Sequence, residues 1–255
     1  MTTPEVPIVG YIPASLNEWR GKISAVLFTG GCSLRCPFCH VPDLVNGTPA
    51  DFQADVIPHD ALLEAITEDS WVNGIVVTGG EPAIHPGIRS LCEQLQATKK
   101  AVRLATNGLN ASVVGLLVQL GKVDSVAMDL KTHFVQEDYC RLAGCPTAVP
   151  VVERVQKSLE RVLEDCPDVE LRTTVIYSPD GPHNQHSKQD LLDIAQYLAD
   201  MDASATWFIQ QFQPGDCLDN AMNSQPATPL PVLLEWLDEI KLVYPHALVR
   251  GLESL

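Results

Sequence analysis

Three cysteines stand within eight residues near the start of the chain, in Cys32-Ser33-Leu34-Arg35-Cys36-Pro37-Phe38-Cys39. The other five, Cys92, Cys140, Cys145, Cys166 and Cys217, are scattered. Thiolates are soft ligands, so three on one short loop suit an iron–sulfur cluster, zinc or copper(I) rather than a hard cation. A cubane cluster has four irons, and three cysteines leave one iron without a protein ligand. That position is open to chelation by a substrate or cofactor, as in a catalytic metal site. The alternative is structural zinc with His40 as fourth ligand, although zinc ligands usually come as two separated pairs and His40 directly follows Cys39. Further along, Gly79-Gly80-Glu81-Pro82 combines two residues that permit close backbone approach to a ligand with a proline that stops a strand.

Both segments follow strand-like runs. Apolar, β-branched stretches predict strands over 23–29, 74–78, 101–106, 125–129, 170–176 and 207–211. Helical periodicity predicts helices over 60–68, 88–98, 111–120, 188–201 and 230–243. Val152, Val155, Leu159, Val162 and Leu163 mark one more helical face, ended by Pro167. Asn110 is expected to cap the helix over 111–120 and Gly121 to stop it. Such alternation implies parallel strands with right-handed crossovers, in a doubly wound sheet or a complete or partial barrel. In either architecture the reactive groups belong at the carboxyl ends of the strands. The unusual residues fall there: Gly30 to Cys39, Gly79 to Pro82, Asn107-Gly108, Asp129 to Lys131 and Gln210-Gln211.

The chain of 255 residues carries 17 Lys plus Arg against 32 Asp plus Glu, a formal charge of −15. That charge repels phosphates and argues against nucleic acid or an anionic membrane as partner. No apolar run approaches the ~18 residues of a membrane span. No basic segment precedes an apolar stretch at the N-terminus, so a cytoplasmic location is expected. In that compartment eight cysteines point to metal or catalysis rather than disulfides. With no repeat, low-complexity tract or Gly/Ser-rich linker, residues 1–255 read as a single domain.

The cysteine loop and GGEP, at the ends of successive strands, together resemble the radical S-adenosylmethionine (SAM) superfamily. The likeness runs over about residues 8–218. It is greatest to anaerobic ribonucleoside-triphosphate reductase activating proteins and, more broadly, to pyruvate formate-lyase activating enzymes. It is carried by Ser15-Leu16-Asn17-Glu18-Trp19-Arg20-Gly21-Lys22, CPFCHVPDLV, VVTGGEP, TNG, MDLK, RTTV and QQFQPG. The resemblance implies an α/β fold, a partial (β/α)6 barrel of the radical SAM type. It implies one [4Fe–4S] cluster and SAM as cofactors, with Cys32, Cys36 and Cys39 as cluster ligands. One electron from the cluster cleaves SAM to a 5′-deoxyadenosyl radical, which takes hydrogen from a glycine of a partner glycyl-radical enzyme. A flavodoxin or ferredoxin is the implied electron donor. Gly79, Gly80 and Glu81 would position SAM's amino end, and Phe38 and His40 would lie beside the adenine. Asn107 belongs to the cofactor-binding set. Asp129 would lie near a cation site and Lys131 near the methionine carboxylate, each with a plain alternative as a loop cap or a solvated lysine. Arg172 either points toward SAM or sits in a salt bridge. The cofactors carry the hard chemistry, so no general base is expected.

Two departures stand out. Related activators often carry Asp immediately before TNG, where this chain has Ala105, and Asp-x-Pro-Gly before the first strand becomes Glu18-Trp19-Arg20-Gly21. No cysteine lies between Cys39 and Gly79, so extra clusters of the ferredoxin kind are not expected there, and the scattered thiols read as buried or inert. His183 and His186 read as polar loop residues, and Asn46-Gly47-Thr48 as a glycosylation sequon without meaning inside a cell. Two other functions compete: a radical enzyme acting on a small molecule, similar to 7-carboxy-7-deazaguanine synthase, and a zinc-stabilised binding module. Only one helix is expected after Gln211, so no large cap over a small-molecule pocket is foreseen.

Overall fold

A computed structural model describes residues 5–47, 51–52, 56–177 and 185–250. His183 and Thr48, both named above, lie outside the described residues. In chain order the elements are β1 (Ile8–Ser15), β2 (Ser24–Thr29), α1 (Pro42–Val45), α2 (His59–Glu68), β3 (Gly74–Gly79), α3 (Ile88–Ala97), β4 (Ala101–Thr106), α4 (Ala111–Gln119) and β5 (Ser125–Asp129). There follow α5 (Gln136–Ala143), α6 (Val151–Asp165), β6 (Val169–Val175), α7 (Lys188–Asp200), β7 (Thr206–Gln211), α8 (Leu230–Val243) and β8 (Ala247–Val249).

The strands form one sheet in sequential order from β1 to β8. β1 pairs antiparallel with β2, while β2–β3, β3–β4, β6–β7 and β7–β8 are parallel. A doubly wound sheet reverses its strand order at a switch point, whereas this order never doubles back, as in the wall of a (β/α) barrel. The α/β fold is therefore that of a partial barrel, and the six predicted strands correspond to β2 through β7. β1 and β8 are additions to the six. β1 contains Gly10 and Pro13 and sits at the sheet edge, where a proline is tolerated; β8 has only three residues. Asn110 precedes α4 as expected, but its side chain makes no capping bond; its Nδ2 donates instead to Ala83 O at 2.7 Å. Gly121 stops α4 in the left-handed region, with φ 58°. Among the described residues no helix is long and apolar enough to cross a membrane.

Two compact units divide the chain. The first comprises Met1–Ser33, Asp43–Ala127 and Lys157–Asp168; the second comprises Leu34–Pro42, Met128–Gln156 and Val169–Leu255. In the first, Val26 and Val76 are fully buried against Trp19, with Phe28, Ala101 and Ala105 packed on them. Ala105 thus occupies an apolar setting in which a lone carboxylate would be costly. Trp19 Nε1 donates to Asp168 Oδ2 at 3.2 Å, and buried Arg103 donates to the same oxygen at 3.3 Å and to Ser125 Oγ at 2.9 Å. The Glu18-Trp19-Arg20-Gly21 segment is thereby anchored at the amino end of β2. In the second unit Trp207, Tyr139, Tyr244 and Phe212 are the largest fully buried side chains among the described residues. Trp207 Nε1 donates to Thr173 Oγ1 at 3.0 Å, and the Tyr244 hydroxyl donates to Ala205 O at 2.6 Å, which satisfies their polar atoms as burial requires.

Candidate functional site

In the first unit the site begins where β2 and β3 end together. Gly80 N donates to Thr29 O at 2.9 Å and Glu81 N to Gly31 O at 2.8 Å, so the turn after β3 is laced to the loop that enters Cys32. A Cβ on Gly79, whose φ is +116°, would lie 2.3 Å from Thr29 N, and one on Gly80 would lie 2.0 Å from Gly31 O. The close approach expected of these glycines is thus already made by the chain's own backbone.

Glu81 is 1% exposed. Its Oε1 accepts from Ala83 N at 2.9 Å and Thr106 Oγ1 at 2.7 Å, and its Oε2 accepts from Asn107 N at 2.6 Å. The carboxylate therefore ties the GGEP turn to the TNG turn after β4. Thr106 Oγ1 accepts from Gly108 N at 3.1 Å, and Asn107 Oδ1 accepts from Leu109 N at 2.9 Å, which fixes the asparagine side chain. Its other end, Nδ2, lies 3.4 Å from Ser33 Oγ and 3.9 Å from Cys32 Sγ. Glu81, Asn107 and Cys32 are thus one connected set.

In the second unit the remainder of the cysteine loop is held from two sides. Cys39 N donates to Cys36 O at 3.0 Å, Leu218 N to Cys39 O at 2.9 Å and Asp219 N to Pro37 O at 2.9 Å. Behind it, α5 ends in left-handed Gly144, where a Cβ would lie 1.9 Å from Arg35 O, and Arg35 N donates to Ala143 O at 3.1 Å. The buried Cys36 thiol points at Ala143 O, 3.5 Å away. Burial raises its pKa, and nearby Lys131 pulls it back down. Lys131 Nζ pairs with Asp129 Oδ2 at 2.8 Å and lies 5.9 Å from the centre of the Phe38 ring. The fields of Asp129 and Cys36 hold its pKa above the usual lysine range despite burial.

His40 Nε2 is 2.8 Å from Gln213 O, and its ring stacks on Phe212 at 6.0 Å and 13°. Arg172 Nε pairs with Glu170 Oε1 at 2.5 Å, and Arg250 Nη1 meets the same oxygen at 3.0 Å, which is the salt-bridge alternative for this arginine. Burial pushes Cys92 up to about 12, and burial with Cys140 beside it pushes Cys145 up to about 12, so both remain protonated thiols at neutral pH. Among the described residues no group of three or more His, Cys, Asp or Glu is gathered as a metal-ion site. Sequence reasoning missed Tyr139, and it dismissed His186 as loop chemistry; both bond the backbone of Lys131.

The family model of the radical SAM superfamily matches residues 26–180, more than half of the chain, and the chain belongs to that superfamily. A protein of Methanocaldococcus jannaschii named as a candidate glycyl-radical enzyme activating enzyme is 25% identical over 224 residues, covering 86% of this chain and 85% of its own. A 7-carboxy-7-deazaguanine synthase of Rhodopirellula baltica is 36% identical over 92 residues, covering 36% of this chain and 34% of its own. Streptococcus suis SuiB bound to S-adenosylmethionine shares the fold with a TM-score of 0.64 at 14% identity; the match covers 87% of this chain and 48% of SuiB.

As a radical SAM protein the chain uses a [4Fe–4S] cluster and SAM. The local chemistry fits thiolate ligands. An amide N–H is directed toward Cys32, and an ammonium whose field favours the thiolate stands near Cys36. Hydrogen bonds and positive charge at the sulfurs are the levers by which a protein tunes such a cluster.

Proposed function

We propose that the protein is an activase that places a glycyl radical on a partner enzyme, most specifically an anaerobic ribonucleoside-triphosphate reductase. The observation that carries this reading is the extent of the likeness to the activating-enzyme relative, 86% of this chain against 36% for the deazaguanine synthase. When bound, the cofactors supply one-electron cleavage of SAM's sulfonium and a 5′-deoxyadenosyl fragment able to take a hydrogen atom from a glycine α-carbon.

The chain's own residues bind and orient. Cys32, Cys36 and Cys39 hold the cluster. Asn107 donates toward Cys32. Glu81 fixes the turn in which Gly79 and Gly80 face SAM's amino end, Lys131 meets the methionine carboxylate, and Phe38 and His40 flank the adenine. Asp129 holds the Lys131 ammonium, and Arg172 braces the amino end of β6 through Glu170. A flavodoxin or ferredoxin supplies the electron, and residues 1–255 act as one radical SAM domain in the cytoplasm.

Anaerobic reconstitution should give iron and acid-labile sulfide, and reduction with SAM should release 5′-deoxyadenosine. Adding the reductase should then give a glycyl doublet in electron paramagnetic resonance. Cleavage of SAM without any doublet, but with formation of 7-carboxy-7-deazaguanine from a small-molecule precursor, would favour a synthase-like reaction instead. Zinc at the thiols without sulfide would overturn both. Cys36→Ala should lose cluster and cleavage together, and retained cleavage would remove Cys36 from the ligand set.

A further inference from the structure

Just past the last residue of β5 the sheet satisfies one more backbone group, and the carbonyl of Leu130 and both backbone polar groups of Lys131 have to be satisfied otherwise. Leu130 N still donates to Arg172 O at 2.8 Å. From there side chains take over. Thr173 Oγ1 donates to Leu130 O at 2.8 Å, the Tyr139 hydroxyl accepts from Lys131 N at 3.2 Å, and His186 Nε2 lies 2.8 Å from Lys131 O. The other ring nitrogen of His186, Nδ1, accepts from Ile176 N at 3.1 Å. Because Nδ1 carries a lone pair there, the ring proton sits on Nε2 and is donated to Lys131 O. His186 is 2% exposed, and burial lowers its pKa, which keeps this neutral tautomer in place. It is a rigid bridge from the end of β6 to the backbone of Lys131. Tyr139, fully buried on α5, grips the same residue from its N–H side.

Both backbone polar groups of one residue are therefore held by buried side chains from two other elements. A lysine ammonium rides on a flexible four-carbon stem, so where it can reach depends on how firmly its Cα is placed. Here it reaches Asp129 and the Phe38 ring. We propose that Tyr139 and His186 are positioning residues: by clamping the two peptide groups of Lys131 they aim its ammonium at the carboxylate of SAM. This rests on the reading above that Lys131 meets that carboxylate, and the experiment separates the two.

Isothermal titration of the reconstituted holoenzyme under anaerobic conditions would compare SAM with S-adenosylmethioninamine, the same molecule without its carboxylate. Lys131→Met should weaken SAM by roughly tenfold or more, the size of one charge-assisted hydrogen bond, and leave the decarboxylated probe unaffected. His186→Ala and Tyr139→Phe should each weaken SAM several-fold, again with no change for the probe. His186→Gln, whose amide can both accept from Ile176 N and donate to Lys131 O, should restore affinity. If Lys131→Met leaves SAM binding unchanged, the assignment of Lys131 is wrong. If Lys131→Met acts as expected but His186→Ala and Tyr139→Phe weaken SAM and the probe equally, or neither, the clamp is structural only and the proposal fails. Should His186→Ala lose its cluster, the nearly isosteric Tyr139→Phe carries the same decision.

Discussion

Glu81 in the first unit and Lys131 in the second are both charged side chains set just past a strand end, yet they are satisfied in different ways. The Glu81 carboxylate takes two backbone N–H groups and a threonine hydroxyl. Those donors are neutral and local to two turns, so the charge is used to lock backbone. Lys131 shows the inverse arrangement: side chains hold its backbone, while its ammonium, paired to a half-exposed carboxylate, stays at the margin of the fold with 15% of the side chain exposed. The contrast separates a charge spent on locking backbone from a charge whose own backbone is locked. Glu81 is a fastener between GGEP and TNG; Lys131 is a charge held out on a fastened root.

The largest effect is expected where the first unit is tightest. Gly80→Ala would put a methyl group 2.0 Å from Gly31 O, against backbone rather than a movable side chain. Overpacking of that kind costs about 3 kcal/mol, and the loss should appear in anaerobic urea unfolding. A near-neutral result would mean that the GGEP turn and the cysteine loop are not locked together, which would break the contrast at its root.

Glu81→Gln and Asp129→Asn test the contrast directly, since each removes one charge with little change in shape. In Glu81→Gln an amide N–H faces the Asn107 N–H in a buried place, and the loss should be about 2 kcal/mol. In Asp129→Asn the charge removed is itself 38% exposed and screened, so stability should move by less than about 1 kcal/mol. Equal losses in unfolding measurements would show that the two charges play the same part after all.

Much of this was legible in the residues. The runs at 101–106, 125–129 and 230–243 coincide with β4, β5 and α8. There the apolar pattern is long enough for its period to decide. β1 and β8 were not legible because pairing partners, not their own sequences, make them strands. In the site, the cysteines, the paired glycines and TNG announced themselves because packing alone requires none of them at those places. Glu81 was visible as a residue but not as a fastener, since its bonds to Thr106 and Asn107 appear only when β3 and β4 lie side by side. Tyr139 and His186 were hidden for the same reason: one is an ordinary helix residue, the other an ordinary loop residue, until the end of β5 meets both.

At neutral pH the smallest effect concerns two histidines, one in each unit. His85 and His186 are both buried, and burial lowers the pKa of each below the usual 6.5. Each therefore folds as a neutral ring, while the unfolded chain binds a proton near pH 6.5. The unfolded state then holds more protons in that window, so stability is level above pH 6.5 and falls as the pH drops through and below it. The slope is at most about 1.4 kcal/mol per pH unit for each ring. The rings differ in bonding. Both nitrogens of His186 are engaged, whereas Nε2 of His85 has no partner among the described residues. Beside His186, Asp190 favours the proton and His133 opposes it; for His85 the Gly30 carbonyl favours it. His186→Gln keeps both hydrogen bonds and removes the titration, so it should match the parent at pH 8 and outlast it at pH 5. His85→Gln should flatten the acid slope in the same way. Unfolding curves whose pH slopes are unchanged in both variants would mean that the folded protein already accepts protons at these rings, and that neither unit keeps its histidine neutral.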